Sequence, residues 1–204
     1  MTSLAIIFVL LLVVFLKQSH DQAQRAKDEL QGELTPLLTA KDLALKQDPD
    51  DPLSLQVTVG ENVLRFPVGG SALTPAGGGF IENFFAGFAA KVCDPKIRDK
   101  IDSIVIEGHT DQSGEKTPDG VRRNIELGQR RSYSVLERAL KGAESQPAVY
   151  ECLLKLASAS GRGSRSPVLV NGAYDPDKSR RVEIRIRVRS AEQQLRRQSK
   201  PYSR

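Results

Sequence analysis

The chain has 204 residues, a formal net charge of +5, two cysteines and two histidines. That length holds one ordinary domain with extensions and excludes two large ones, and glycine and proline are too sparse for disorder throughout. Much of the basic excess lies between Arg185 and Arg204, where Glu192 is the one acidic residue; without a run of aromatics among its cations, this stretch reads as a solvated tail and not as a specific nucleic-acid site. Cys93 and Cys152 permit one disulfide without demanding it, and neither lies in a CxxC pattern that would suggest zinc.

Leu4 to Leu16 is an unbroken apolar run beginning almost at Met1. It is shorter than the roughly 20 residues that normally cross a bilayer, yet too hydrophobic for a soluble surface helix. No basic segment precedes it and no small-x-small cleavage pattern follows, so an uncleaved membrane anchor over 1–17 is expected in place of a signal peptide. Lys17, Arg25 and Lys27 follow the run, and the positive-inside rule alone would leave the domain in the cytoplasm. Residues 18–52 read as a helical stalk and linker: Leu30, Leu34, Leu37 and Leu38 keep helical spacing, Pro36 interrupts, and Asp48-Pro49-Asp50-Asp51-Pro52 is a loop.

The domain proper is expected over 53–189. Leu53 to Val59 alternates strictly and predicts a strand, which Asn62 to Phe66 continues after a turn at Gly60. Thr74 and Pro75 form an N-cap and first-turn pair for a helix carrying Phe80, Ile81, Phe84, Phe85 and Phe88, a stripe that belongs against a sheet. Ile104 to His109 predicts the central buried strand, ending in Thr110 and Asp111 at a sheet edge. A polar loop over 112–123, a helix from Asn124 to Leu140, a short helix from Val149 to Leu156, and Leu156 to Ser160 before a Gly161–Ser164 turn follow. The last strand, Val182 to Arg189, puts Val182, Ile184, Ile186 and Val188 on one face and charges on the other. The expectation is an α+β two-layer sandwich of order β-α-β-α-β-β, with helices on one sheet face and water on the other. The basic tail is 190–204.

Catalytic readings fail on inspection. Gly114-Glu115-Lys116-Thr117 imitates the end of a phosphate loop but inserts a glutamate before the Lys-Thr. His109 and Asp111 are two apart at a strand end with no serine on a nucleophile elbow, and His20 lies in the stalk, so a histidine metal site has too few ligands. The expectation is therefore no enzyme, no cofactor and no metal. A binding reading fits better. Asn124 and Arg131, seven apart, lie within about 20° of one another on a helix, facing the loop of Thr110 and Asp111. A carboxylate and a guanidinium presented together recognise a zwitterion, Asp111 taking an ammonium and Arg131 forking a carboxylate. The rival reading of the same residues is a direct Asp111–Arg131 ion pair that merely closes the helix onto the strand.

Glu107-Gly108-His109-Thr110-Asp111, then Asn124-x-x-Leu127-x-x-x-Arg131, then Ser160-Gly161-Arg162-Gly163, and Ser179-Arg180-Arg181-Val182-Glu183-Ile184 occur in that order. Together they resemble the peptidoglycan-binding C-terminal domain of the OmpA and MotB family, over roughly Leu53 to Arg189. The resemblance implies that Asp111 and Arg131 clasp the zwitterionic end of diaminopimelate in the stem peptide, with Thr110, Asn124 and Arg180 supporting. The sequence departs from the family pattern at Gly128, Ser132 and Ser179 and in a longer loop before Asn124, but keeps every charged partner. The N-terminal Met1-Thr2-Ser3-Leu4 and its apolar run resemble the membrane helix of a stator-type B-subunit, in which a proton-carrying aspartate lies just before such a segment. The implied setting is a single inner-membrane span with the domain in the periplasm, where a Cys93–Cys152 bond is expected. The implied partners are peptidoglycan, a second copy in a homodimer and, in the motor alternative, a multi-span MotA-like protein.

Overall fold

The computed structural model describes residues 2–39, 43–190 and 192–193. Most of the expected basic tail lies outside the described residues. In chain order the elements are α1 (Thr2–Thr39), β1 (Leu45–Gln47), β2 (Ser54–Gly60), α2 (Glu61–Leu64), α3 (Pro75–Val92), α4 (Pro95–Arg98) and β3 (Ile101–His109). They continue as α5 (Pro118–Ala143), α6 (Pro147–Leu156), β4 (Ala157–Gly163), β5 (Leu169–Val170), β6 (Ala173–Tyr174), α7 (Pro176–Ser179) and β7 (Arg181–Val188).

The main sheet has the order β1-β2-β7-β3-β4. β3 and β4 run parallel, joined by the α5–α6 crossover, and every other neighbouring pair is antiparallel. The alternation read in the sequence supplies the inner face: Leu55, Val57 and Val59 of β2, Ile104 and Ile106 of β3, and Val182, Ile184, Ile186 and Val188 of β7 are all buried. Against them lies the α3 stripe of Ile81, Phe84, Phe85 and Phe88, with Phe84 and Phe88 fully enclosed. Thr74 caps α3 by accepting from the Gly77 N–H, and Pro75 stands in the first turn. The two-layer α+β sandwich is thus the observed architecture.

Three local expectations change, and one small element is added. Residues 62–66 do not continue a strand: α2 makes one turn and ends at Arg65 in the left-handed region, φ 53°. The cause is α3, whose Gly77 approaches so closely that a Cβ there would stand 2.0 Å from the Leu64 carbonyl oxygen. α5 begins at Pro118, six residues ahead of Asn124, because Thr117 caps it by accepting from the Gly120 N–H and Pro118 fills the first turn. Its opening turn presents polar residues outward, which hid it from an apolar-period reading. β4 runs on through Gly161 to Gly163, where a turn was expected, because Gly161 packs against the backbone of Ile125 and Gln129 in α5. Finally, 169–174 forms a small hairpin with Asn171 and Gly172 both at positive φ, the pairing a tight two-residue turn requires.

The segment expected as a spacer is part of the domain. α1 is continuous through Pro36, and Leu30, Leu34 and Leu38 are buried in the same core as α3 and the sheet, while Ala23 and Ala26 are buried nearer the start of the helix. Lys27 Nζ donates to the Pro52 carbonyl at 2.9 Å, Leu37 packs against Gly87, and β1, also within the expected linker, pairs with β2. The leucine spacing seen in the sequence is the signature of a helix with a buried stripe, and the domain supplies the surface that buries it. The first half of α1 is apolar, exposed, and long enough by length and composition to cross a membrane.

Cys93 at the end of α3 and Cys152 in α6 are joined by a disulfide, with Cα atoms 5.9 Å apart.

Candidate functional site

Three strands deliver the site to one edge of the sheet. Gly60 at the end of β2 and His109 at the end of β3 both pair with Arg181 at the start of β7. Glu61, Arg180 and the Thr110-Asp111 pair are the next residues beyond that rung, so the register alone brings them together. α5 is set against the edge by a glycine pair: a Cβ on Gly108 would lie 2.0 Å from the Gly128 carbonyl oxygen, and one on Gly128 would lie 2.4 Å from that of Gly108. Less than one turn beyond Gly128, this approach places Arg131. Gly128, with Gly108, is therefore what allows the helix to sit so close.

Asp111 and Arg131 are both present at the edge but are not bonded to each other. Arg180 Nη1 lies 2.5 Å from Asp111 Oδ2, and its remaining nitrogens reach Glu61 and Asp177. Glu61 in turn lies 3.0 Å from Arg131 Nη2 through its other oxygen. The result is a chain of alternating charge, Asp111, Arg180, Glu61, Arg131, in place of the direct Asp111–Arg131 pair that was the rival reading. Arg131 also donates from Nε to the Gly70 carbonyl at 3.0 Å and lies 5.0 Å over the Phe66 ring.

The electrostatics follow from these contacts. Burial pushes the Asp111 carboxyl up, but the Ser113 N–H and the Arg180 guanidinium more than offset this and hold it below its ordinary value. Burial pulls Arg131 down, against the Glu61 and Asp111 charges that support its cationic form. Arg180 is raised, first by its hydrogen bond to Asp111 and then by Glu61.

The other expected residues are supports. Asn124 Nδ2 donates to the carbonyls of Asp111 and Ser113, both at 3.1 Å, and to Glu115 Oε1 at 2.9 Å, so it holds the loop that carries the aspartate. Ser164 also binds Glu115. The Thr110 N–H donates to the Gly163 carbonyl, while its buried hydroxyl has no hydrogen-bond partner. Ser179 Oγ accepts from the Val168 N–H and donates to the Asp175 carbonyl, which fixes the loop before Arg180. Glu61, Gly70, Phe66 and Tyr174, whose hydroxyl accepts from the Gln112 N–H, were missed by sequence reasoning. For Glu61 a signal was available: a polar residue just past an alternating strand, the position Asp111 holds on β3.

The outer face of the sheet, expected to meet water, carries a second charged cluster. Glu107, His109 and Glu183 are buried, with His109 Nε2 3.3 Å from Glu183 and 4.0 Å from Glu107. Their donor atoms lie close enough for a metal ion. Arginines already stand where the metal would bind: Arg162 and Arg185 lie 3.2 and 3.1 Å from the two oxygens of Glu107, and Arg181 lies 2.6 Å from Glu183. A divalent ion would have to displace them, so the cluster reads as a structural network and His109 as a core residue.

Neither a family model nor a curated protein sequence matches the chain. Solved structures do. A MotB-like protein from Desulfovibrio vulgaris aligns at 20% identity with a TM-score of 0.56, over 85% of this chain and 98% of its own. The cell wall anchor of the T6SS from Pseudomonas aeruginosa aligns at 20% identity and TM-score 0.50, over 78% and 97%. The periplasmic domain of Helicobacter pylori MotB aligns at 20% identity and TM-score 0.51, over 76% and 94%. With β3 and β4 parallel, β7 antiparallel between β2 and β3, and helices on one face, the chain has the fold of MotB-type periplasmic domains, preceded by an apolar N-terminal helix.

Proposed function

We propose that the protein is a non-catalytic, membrane-anchored binder of peptidoglycan that holds the zwitterionic end of a diaminopimelate-type stem peptide at the β2–β3–β7 edge. The observation that carries this reading is the alternation of Asp111, Arg180, Glu61 and Arg131 along one edge. Asp111 is a partly exposed carboxylate suited to an ammonium, and the two guanidinium groups are suited to a carboxylate. The fold shared with a cell wall anchor and with MotB supports the same ligand class. The exposed apolar half of α1 supports a single inner-membrane span, and the Cys93–Cys152 bond supports an oxidising compartment, the periplasm, against the charge rule that would leave the domain in the cytoplasm.

Asp111→Ala and Arg131→Ala proteins, each with an unchanged circular dichroism spectrum, should lose sedimentation with purified diaminopimelate-type sacculi by at least about tenfold in affinity. Undiminished sedimentation rejects the reading. A second reading, a stator-type subunit of an ion-driven motor in which wall binding fixes the complex in place, is favoured by the apolar helix joined to a MotB-type fold. It requires co-purification with a multi-span membrane partner.

A further inference from the structure

Arg131 is the enclosed half of the proposed clamp, its side chain only 5% exposed. Three groups close over its guanidinium: the Gly70 carbonyl, the Phe66 ring and the Glu61 carboxylate. The first is backbone and the second belongs to the core, so neither can leave without moving the chain. Glu61 differs. Its side chain is 20% exposed, it stands on the single turn of α2, and a rotation about its own bonds would uncover Arg131.

The contacts of Glu61 are those a ligand carboxylate would need. One oxygen faces Arg131 Nη2 and the other accepts from Arg180 Nε, so a single carboxylate spans both guanidinium groups. An incoming carboxylate cannot share that place, because it would meet the negative charge of Glu61 at contact distance. Space for departure exists alongside. Glu61 lines a cavity of about 990 Å³ whose wall also includes the cations Arg65 and Lys178 and the carboxylate of Asp177.

We propose that Glu61 occupies, in the free protein, the place of the ligand's carboxylate. Binding is then an exchange in which Glu61 swings towards Arg65 and Lys178 while the ligand carboxylate takes over Arg131 and Arg180. This deepens the clamp reading and rests on it. The exchange makes Glu61 a determinant of selectivity: a ligand offering an ammonium alone has nothing with which to displace it.

The test measures binding of a synthetic stem peptide bearing diaminopimelate by calorimetry, and modification of Arg131 by phenylglyoxal, followed by peptide mass spectrometry, in the same proteins. Glu61→Gln keeps the shape and removes the competing charge. It should bind the peptide about fivefold more tightly, the size of effect a partly exposed ion pair carries, and its Arg131 should be modified faster than in the unaltered protein. Glu61→Asp, which keeps the charge on a shorter arm, should fall between the two. Equal or weaker peptide binding by Glu61→Gln overturns the exchange. If neither protein binds the peptide, the clamp reading falls, and the labelling decides the rest: faster modification in Glu61→Gln supports Glu61 as the cover of Arg131, and an unchanged rate overturns it.

Discussion

Glu183 carries a carboxylate into a setting where it is 3% exposed, on the sheet face opposite the hydrophobic core. Burial pushes its pKa up, but the His109 ring, 3.3 Å away, and the Arg181 guanidinium outweigh this and bring it from 4.5 to about 2. A carboxyl whose folded value is depressed stabilises the fold above its unfolded pKa and loses that contribution as pH falls through the folded one. The window here runs from about pH 4.5 down to about 2, and the contribution lost is on the order of 3 kcal/mol. Urea unfolding between pH 3 and 7 should therefore show a steep acid loss that Glu183→Gln flattens, while that variant is already weaker at pH 7. A parallel pH profile in the variant contradicts this account. Glu107, His109 and Glu183 were legible as polar residues on a strand, but their burial was not: alternation shows which side chains share a face and is silent about what covers it.

At the scale of elements, α6 is tied to the end of α3 by the Cys93–Cys152 bond, which closes a sequence separation of 59 residues. A loop of that length costs the unfolded chain entropy once closed, so replacing both cysteines by serine should lower stability by about 2–4 kcal/mol. Denaturant midpoints of the double variant and of the unaltered protein with and without reductant measure it, and a variant midpoint equal to that of the unaltered, oxidised protein contradicts it. α2 and α5 show where sequence reasoning stopped short. Asn62 to Phe66 reads as a continuation of the strand before Gly60, but the close pass of Gly77 over Leu64 turns the chain there. Thr117 and Pro118 form the same cap and first-turn pair as Thr74 and Pro75, yet the polar turn that follows them carries no hydrophobic period. The relation of Asn124 to Arg131 on one helix face was readable from their spacing. Their division of labour, one holding the loop and one facing Glu61 and Arg180, was not.

For the whole molecule, the consequence of a continuous α1 is that the apolar segment and the segment packed into the core belong to one helix. Ala23 is already buried, six residues after Lys17, a rise of about 9 Å along the helix. Deleting residues 1–20 should leave a soluble, folded domain, since the side chains of residues 4–18 and 20 are exposed. Deleting 1–40 strips Leu30, Leu34 and Leu38 from the core. The loss exceeds that of a single Leu34→Ala, itself expected to cost about 2–5 kcal/mol, and the longer deletion should aggregate or unfold. Expression of both fragments with thermal melting checks this, and a cooperative melt of the longer deletion at the original temperature contradicts it.

What the sequence by itself determined about this protein is whatever depends on periodicity and local chemistry: an apolar N-terminal helix, a sheet with one hydrophobic face, a phenylalanine helix packed on it, and Asp111 at the end of a buried strand. These follow from residues a few positions apart, where side-chain direction is set by the backbone repeat. Only the tertiary structure decided that the stalk is core, that the second sheet face encloses charge, and that Asp111 reaches Arg131 through Arg180 and Glu61. Those outcomes depend on the antiparallel register that sets Gly60, Arg181 and His109 side by side, and on a glycine contact that seats α5. Both join residues distant in the chain, and no local pattern encodes which of them will meet.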